Sequence, residues 1–239
     1  MQFIIYAPVK VKKRMFLIVM LLVILTCLVL YRIYYRTQNT VSPLPLTGIV
    51  IAVDPGHGGY DPGVFKEELV EKEITLQIAL SLRGFLQQGG ATVIMTRETD
   101  KDYATMPTGP LKQRDLSERL KIISEAGHLD ALISIHLNSF PAPVYRGAQT
   151  FYSEESGEES KLLASLIQEE LIRVLQNTNR GIKTGDFYLL KHAPCPAVIV
   201  EAGFLTNPEE ASLLSTPEYQ KKIAWAIYLG TIRFVKNNM

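Results

Sequence analysis

The sequence predicts an α/β domain, a single mixed, mostly parallel sheet of about six strands flanked by helices, behind an N-terminal membrane-anchor helix. Three observations carry this expectation. Apolar runs rich in β-branched residues recur as IVIAVDP, ALISIHL and AVIVEAG, the composition of strands buried on both faces. Segments with helical periodicity alternate with them, as in a parallel α/β sheet. Finally, residues 15–30 (MFLIVMLLVILTCLVL) form an uncharged stretch between basic flanks, the pattern of a membrane span.

The elements follow in chain order. Residues 1–14 carry Lys10, Lys12, Lys13 and Arg14 and read as a basic cytoplasmic N-terminus. Residues 15–35 read as a transmembrane anchor or uncleaved signal. No small-residue cleavage site follows Leu30, and Tyr31, Tyr34 and Tyr35 suit a membrane interface. That orientation exports the remainder of the chain. Residues 36–46 are polar and proline-containing, a linker, and 47–239 form the α/β domain. Its expected strands are 48–53, 91–96, 131–136, 147–152, 187–190 and 197–201. Its expected helices are 71–88, 111–126, 158–176 and 217–236. The first helix places Ile74, Ile78, Leu82 and Phe85 on one face and stops at Gly89-Gly90. The strand at 91–96 then closes a strand–helix–strand unit, which favours parallel pairing. The short run 187–190 (FYLL) is aromatic and apolar, hence a strand, and the last helix starts at Thr216-Pro217. The loop 100–110 has no readable role.

Composition narrows the functional classes. With 25 Lys and Arg against 24 Asp and Glu, the net charge is +1, so no basic stripe for nucleic acid is expected. The two cysteines, Cys27 and Cys195, are too few for a disulfide framework. Of the four histidines, His128 and His192 read as ordinary surface residues. His57, in a Pro-Gly-His-Gly-Gly turn, and His136, ending an apolar strand, both fall where open α/β sheets place their chemistry. With one carboxylate they would make a three-ligand zinc site with an open position. Glu67, Glu68, Glu71 and Glu73 are all near enough in sequence. Glu71 would begin a helix, where the dipole favours the ionised carboxylate a metal requires, while spacing alone leaves Glu67 and Glu68 open. Glu201 ends a buried apolar run. It reads either as a general base with a burial-raised pKa or as a structural partner of Lys183 or Arg180.

Four segments resemble, in order, the motifs of the zinc-dependent N-acetylmuramoyl-L-alanine amidases of bacterial cell walls: Asp54-Pro55-Gly56-His57-Gly58-Gly59, Glu71-Lys72-Glu73-Ile74-Thr75-Leu76, Ser134-Ile135-His136-Leu137-Asn138 and Glu201-Ala202-Gly203-Phe204-Leu205-Thr206-Asn207. The resemblance implies one zinc ion per chain held by His57, Glu71 and His136, a catalytic Glu201, and supporting roles for Arg119 and Asn138. It implies hydrolysis of the amide between N-acetylmuramic acid and L-alanine in peptidoglycan, outside the cytoplasm.

The anchor, the single catalytic domain and the segment Arg146-Gly147-Ala148-Gln149-Thr150-Phe151-Tyr152 resemble the sporulation and germination type within that family. That type implies action on spore cortex, with a polysaccharide deacetylase acting downstream toward muramic lactam. The helix within 152–196 reads as an ordinary amphipathic one, so a helix blocking the site is not expected. Two other readings share these motifs: a zinc peptidase cutting stem peptides, and a non-catalytic wall-binding protein.

Overall fold

The computed structural model describes residues 9–38, 44–103 and 110–238. The chain divides into two units, Met1–Pro43 and Leu44–Met239. The first contains helix α1 (Val9–Gln38). Its segment Lys13–Tyr35 spans 23 residues and is long and apolar enough to cross a membrane. At 1.5 Å per residue it extends about 35 Å, against a hydrocarbon core of about 30 Å.

The second unit is a six-stranded sheet in the order β4-β1-β5-β8-β6-β7. Its strands are β1 (Val50–Pro55), β4 (Thr92–Met95), β5 (Ala131–Asn138), β6 (Gln149–Tyr152), β7 (Lys183–Thr184) and β8 (Ala197–Phe204). A small separate hairpin joins β2 (Phe65–Lys66) to β3 (Leu69–Val70). All neighbours in the large sheet run parallel except β6 and β8, which are antiparallel. Helices α2 (Glu71–Gln88), α3 (Leu111–Glu125), α4 (Gly157–Leu175), α5 (Tyr188–His192), α6 (Pro208–Leu214) and α7 (Pro217–Asn238) complete the unit.

Burial on both faces explains the unbroken apolar strands. Alternate residues Ile51, Val53, Ile133, Ile135, Val198 and Val200 pack with Ile78 and Leu82 of α2, Leu163 and Ile167 of α4, and Ile223 and Ile227 of α7. Their neighbours Ala52, Leu132, Ala197 and Ile199 pack with Ile123 of α3 and Leu189 and Leu190 of α5. The sheet is thus the middle of three layers.

Two expectations about elements change. Residues 187–190 are not a strand; Tyr188–His192 form one helical turn, closed by the Ala193 N–H donating to the Leu189 carbonyl at 2.9 Å. Adjacent Leu189 and Leu190 are both buried on the same side of the sheet, which a strand with alternating faces cannot provide. The sixth strand is instead β7, two exposed polar residues on the sheet edge, where a lysine is a usual guard against further pairing. The central strands also run further than expected. β1 continues to Pro55, β5 to Asn138 and β8 to Phe204, so His136 and Glu201 lie inside strands rather than at their last residues. The loop 100–110 falls partly outside the described residues.

Candidate metal centre and active site

The carboxyl edges of β1, β5 and β8 meet the start of α2 in a cleft of about 660 Å³. His57 lies just beyond β1 in a left-handed conformation, φ 61°, which is uncommon for a residue with a side chain. The surroundings impose it. Arg119 donates to the His57 carbonyl, and the Asp61 carboxylate meets His57 Nδ1 at 2.8 Å. Asp61 is itself fixed, since Gly58 and Asp61 exchange backbone hydrogen bonds of 2.9 and 3.0 Å and the Gly63 N–H donates to Asp61 Oδ1. A proton held on Nδ1 by Asp61 leaves Nε2 as the basic nitrogen of His57.

Glu71, the first residue of α2, is 2% exposed. The N–H groups of Val64 and Leu137 donate to its two oxygens, each at 2.8 Å. Burial would raise its pKa, but the bonds to His136 and His57 outweigh burial and hold the carboxyl far below the usual carboxylate range. For His57, burial pulls the pKa down, and the Glu71 and Asp61 carboxylates more than reverse it, so the net shift is upward.

His57 Nε2, His136 Nδ1 and Glu71 Oε1 converge. The separations are 3.1 Å for His57–Glu71, 3.3 Å for His136–Glu71 and 3.2 Å between the two ring nitrogens. A tetrahedral zinc ion with ligands at about 2.0–2.1 Å requires donor–donor edges of about 3.3 Å. The near-equilateral triangle therefore fits such an ion, and two imidazoles with one carboxylate form a donor set that leaves the fourth position open, as catalytic zinc sites do. Two glycines make the room. A Cβ on Gly56 would come within 2.3 Å of the His136 ring, and one on Gly63 within 2.5 Å of Glu71 Oε2. Glu67 and Glu68 form the turn of the β2–β3 hairpin and take no part in this triangle.

Glu201 stands beside His136, its register partner across β5 and β8. Its Oε2 is buried without a hydrogen-bond partner, and it makes no ion pair with Lys183 or Arg180. Arg180 instead donates to the Arg146 carbonyl and covers the Phe204 ring. The structural ion pair considered from sequence is therefore absent among the described residues. Burial, with the Glu71 charge adding to it, pushes the Glu201 carboxyl up to about 7 against the pull of His136 and His57. An unpartnered carboxylate that titrates near neutrality beside a triangle able to hold a metal is suited to proton transfer.

Arg119 is 1% exposed and forms ion pairs with Asp54 at 2.8 Å and Asp115 at 2.7 Å while donating to the Pro55 carbonyl. It shapes the His57 loop from beneath. Asn138 lines the cleft at the end of β5. Sequence reasoning missed Arg97, also 1% exposed, which donates to the Pro55, Gly56 and Lys72 carbonyls. It follows a short strand and reads there as an unremarkable polar residue. Asp61 was missed too, although its four-residue spacing from His57 was a usable signal. Phe187, Tyr188 and Leu189 add an apolar wall. His128 is exposed and His192 stacks on Tyr188, both away from the triangle. Both cysteines are free, and burial pushes the Cys195 thiol up to about 12, as for a packed residue.

Comparison with known proteins gives concordant matches. The profile of the N-acetylmuramoyl-L-alanine amidase family matches residues 51–233. The germination-specific N-acetylmuramoyl-L-alanine amidase of Bacillus subtilis (strain 168) is 41% identical, over 93% of this chain and 96% of its own. The CwlD amidase from Clostridioides difficile, solved in complex with the GerS lipoprotein, is also 41% identical. It matches with a TM-score of 0.76 over 80% of this chain and 100% of that one. The catalytic domain of the amidase CwlV from Bacillus (Paenibacillus) polymyxa var. colistinus matches at 27% identity and a TM-score of 0.68, over 79% of this chain and 98% of that one.

Proposed function

The chain belongs to the N-acetylmuramoyl-L-alanine amidase family and acts on peptidoglycan, and from that premise we propose a zinc-dependent amidase of the spore cortex. In this reading His57, Glu71 and His136 hold one zinc ion, and Glu201 is the catalytic base. The observation that carries it is the triangle of donor atoms 3.1–3.3 Å apart with an unpartnered buried carboxylate oxygen on the neighbouring strand. The germination-specific relative in Bacillus subtilis supports cortex as the substrate.

A bound zinc ion supplies Lewis acidity toward the scissile carbonyl and makes water more acidic. The chain's own residues do the rest. Glu201, ionised, takes a proton from the attacking water and returns it to the leaving L-alanine nitrogen, so the muramoyl carboxylate and a free amine result. A group with a pKa near the working pH can do both. Asp61 holds the proton of His57 on Nδ1, which would leave Nε2 as the nitrogen to hold the ion. Arg119 and Arg97 grip the carbonyls of residues 55–57 and hold the His57 loop in its left-handed turn. Asn138 offers an amide at the cleft wall to orient the substrate.

Residues 1–14, 15–35, 36–46 and 47–239 serve in this reading as cytoplasmic N-terminus, anchor, linker and exported catalytic domain. The 23-residue apolar segment supports the anchor. A deacetylase acting on the bared muramic acid would follow the amidase step. The reading is tested by digesting purified spore-cortex peptidoglycan with the zinc-loaded full-length chain and weighing the products. We expect peptides with a free L-alanine amino terminus alongside unsubstituted muramic acid. Shortened stems still attached to sugar would replace the amidase with a peptidase, and activity confined to vegetative wall would remove the cortex assignment.

A further inference from the structure

The chain leaving the cleft along β5 passes through Ser139, which lines the cleft, into the loop Phe140-Pro141-Ala142-Pro143-Val144-Tyr145. Phe140, Val144 and Tyr145 are 46%, 77% and 42% exposed. A contiguous apolar patch of this kind marks a contact surface. Its backbone is pinned from the segment after β8. The Phe140 N–H donates to Thr206 Oγ1 at 3.1 Å, and Asn207 Nδ2 donates to the Pro143 carbonyl at 2.7 Å. The rings are fixed against each other as well. Phe140 meets Tyr145 edge to face at 4.3 Å, and Tyr145 stacks on Phe204, whose ring Arg180 covers. The two prolines fix φ and remove two backbone donors, so the loop presents its half-exposed apolar side chains more than backbone hydrogen-bonding groups. Arg146 beside it is paired with Glu209 at 3.1 Å.

We propose that this loop is a stacking platform for the glycan strand, holding sugars adjacent to the muramic acid whose side chain is cut. The inference rests on the cleft being the peptidoglycan site. A pyranose ring offers a flat face of C–H groups, which the electron-rich face of an aromatic ring attracts. The platform is continuous with the cleft wall. Phe140 stands four positions after His136, at most about 14 Å of extended chain, which keeps the loop within reach of sugars flanking the reacting one. An uncharged, rigid aromatic surface suits a neutral glycan better than it suits the acidic stem peptide.

The test compares the zinc-loaded full-length wild type, a Phe140→Ala/Tyr145→Ala double variant and a conservative Phe140→Tyr/Tyr145→Phe variant. Each is assayed on uncrosslinked glycan strands and on a single N-acetylmuramoyl peptide. The ratio of kcat/KM on strands to that on the single unit is expected to fall at least tenfold in the alanine variant and to recover in the conservative one. An unchanged ratio in the alanine variant overturns the platform and leaves the patch to a protein surface. A ratio that stays low in the conservative variant also overturns it, because ring faces would not then be the determinant. Wild-type protein that frees no L-alanine amino terminus from either substrate removes the amidase reading, and the platform with it, before any variant is compared.

Discussion

Asp54 shows how single residues build the site. It sits at the end of β1, where Thr96, Ser134 and Arg119 all donate to its carboxylate. Burial would raise its pKa, but the Arg119 charge and the hydroxyl donors hold it at about 2 instead of the ordinary 3.8. The folded state therefore binds this proton less readily than the unfolded chain. Its contribution is complete above the ordinary value and is lost as the pH falls through 3.8 toward 2. The gap corresponds to about 2 kcal/mol. Asp54→Asn should consequently destabilise the protein at neutral pH and weaken its acid sensitivity. Melting followed by circular dichroism in EDTA should show a smaller drop from pH 5 to pH 2 than wild type shows; equal drops would mean that Asp54 is not a main acid-sensitive group. The same cluster ties stability to function, because Arg119 also anchors the His57 turn.

Among the elements, helix α7 crosses α4 with Gly230 against the Ile167 backbone. A Cβ there would lie 2.6 Å from the Ile167 Cα. Alanine is the better helix former by about 1 kcal/mol, whereas overpacking costs about 1–3 kcal/mol. Because the obstacle is backbone, packing should win. Gly230→Ala is expected to lower the melting midpoint by about 2–4 °C per kcal/mol, and a raised midpoint would show that the helices can separate cheaply. This contact was invisible in the sequence, where Gly230 merely weakens a helical pattern.

Other elements were legible for definite reasons. The helix beginning at Glu71 and the strands carrying His136 and Glu201 announced themselves by periodicity and by polar groups closing apolar runs. The aromatic run at 187–190 misled because a short buried helix and a short strand share one composition. β7 carried no apolar signal at all, and the β2–β3 turn uses Glu67 at φ 56° instead of a glycine or asparagine. The three residues of the triangle could be read from sequence, but the clamps on the His57 loop, Arg97 and Asp61, depended on which surfaces meet in three dimensions.

At the scale of the whole molecule, two helical layers cover both faces of the sheet and leave its carboxyl edge for chemistry. The turn after β1, strands β5 and β8 and the start of α2 supply the four central side chains from segments as distant in sequence as residues 57 and 201. Folding is what brings them together, and the central claim is that they divide the labour: three hold the metal while the fourth moves protons. The decisive measurement is zinc content and amidase rate, side by side, for full-length Glu201→Gln and His136→Ala proteins. The account predicts that Glu201→Gln retains one zinc per chain and loses at least a hundredfold in rate, while His136→Ala loses both metal and activity. A Glu201→Gln protein that is active, or one that cannot hold zinc, would contradict it.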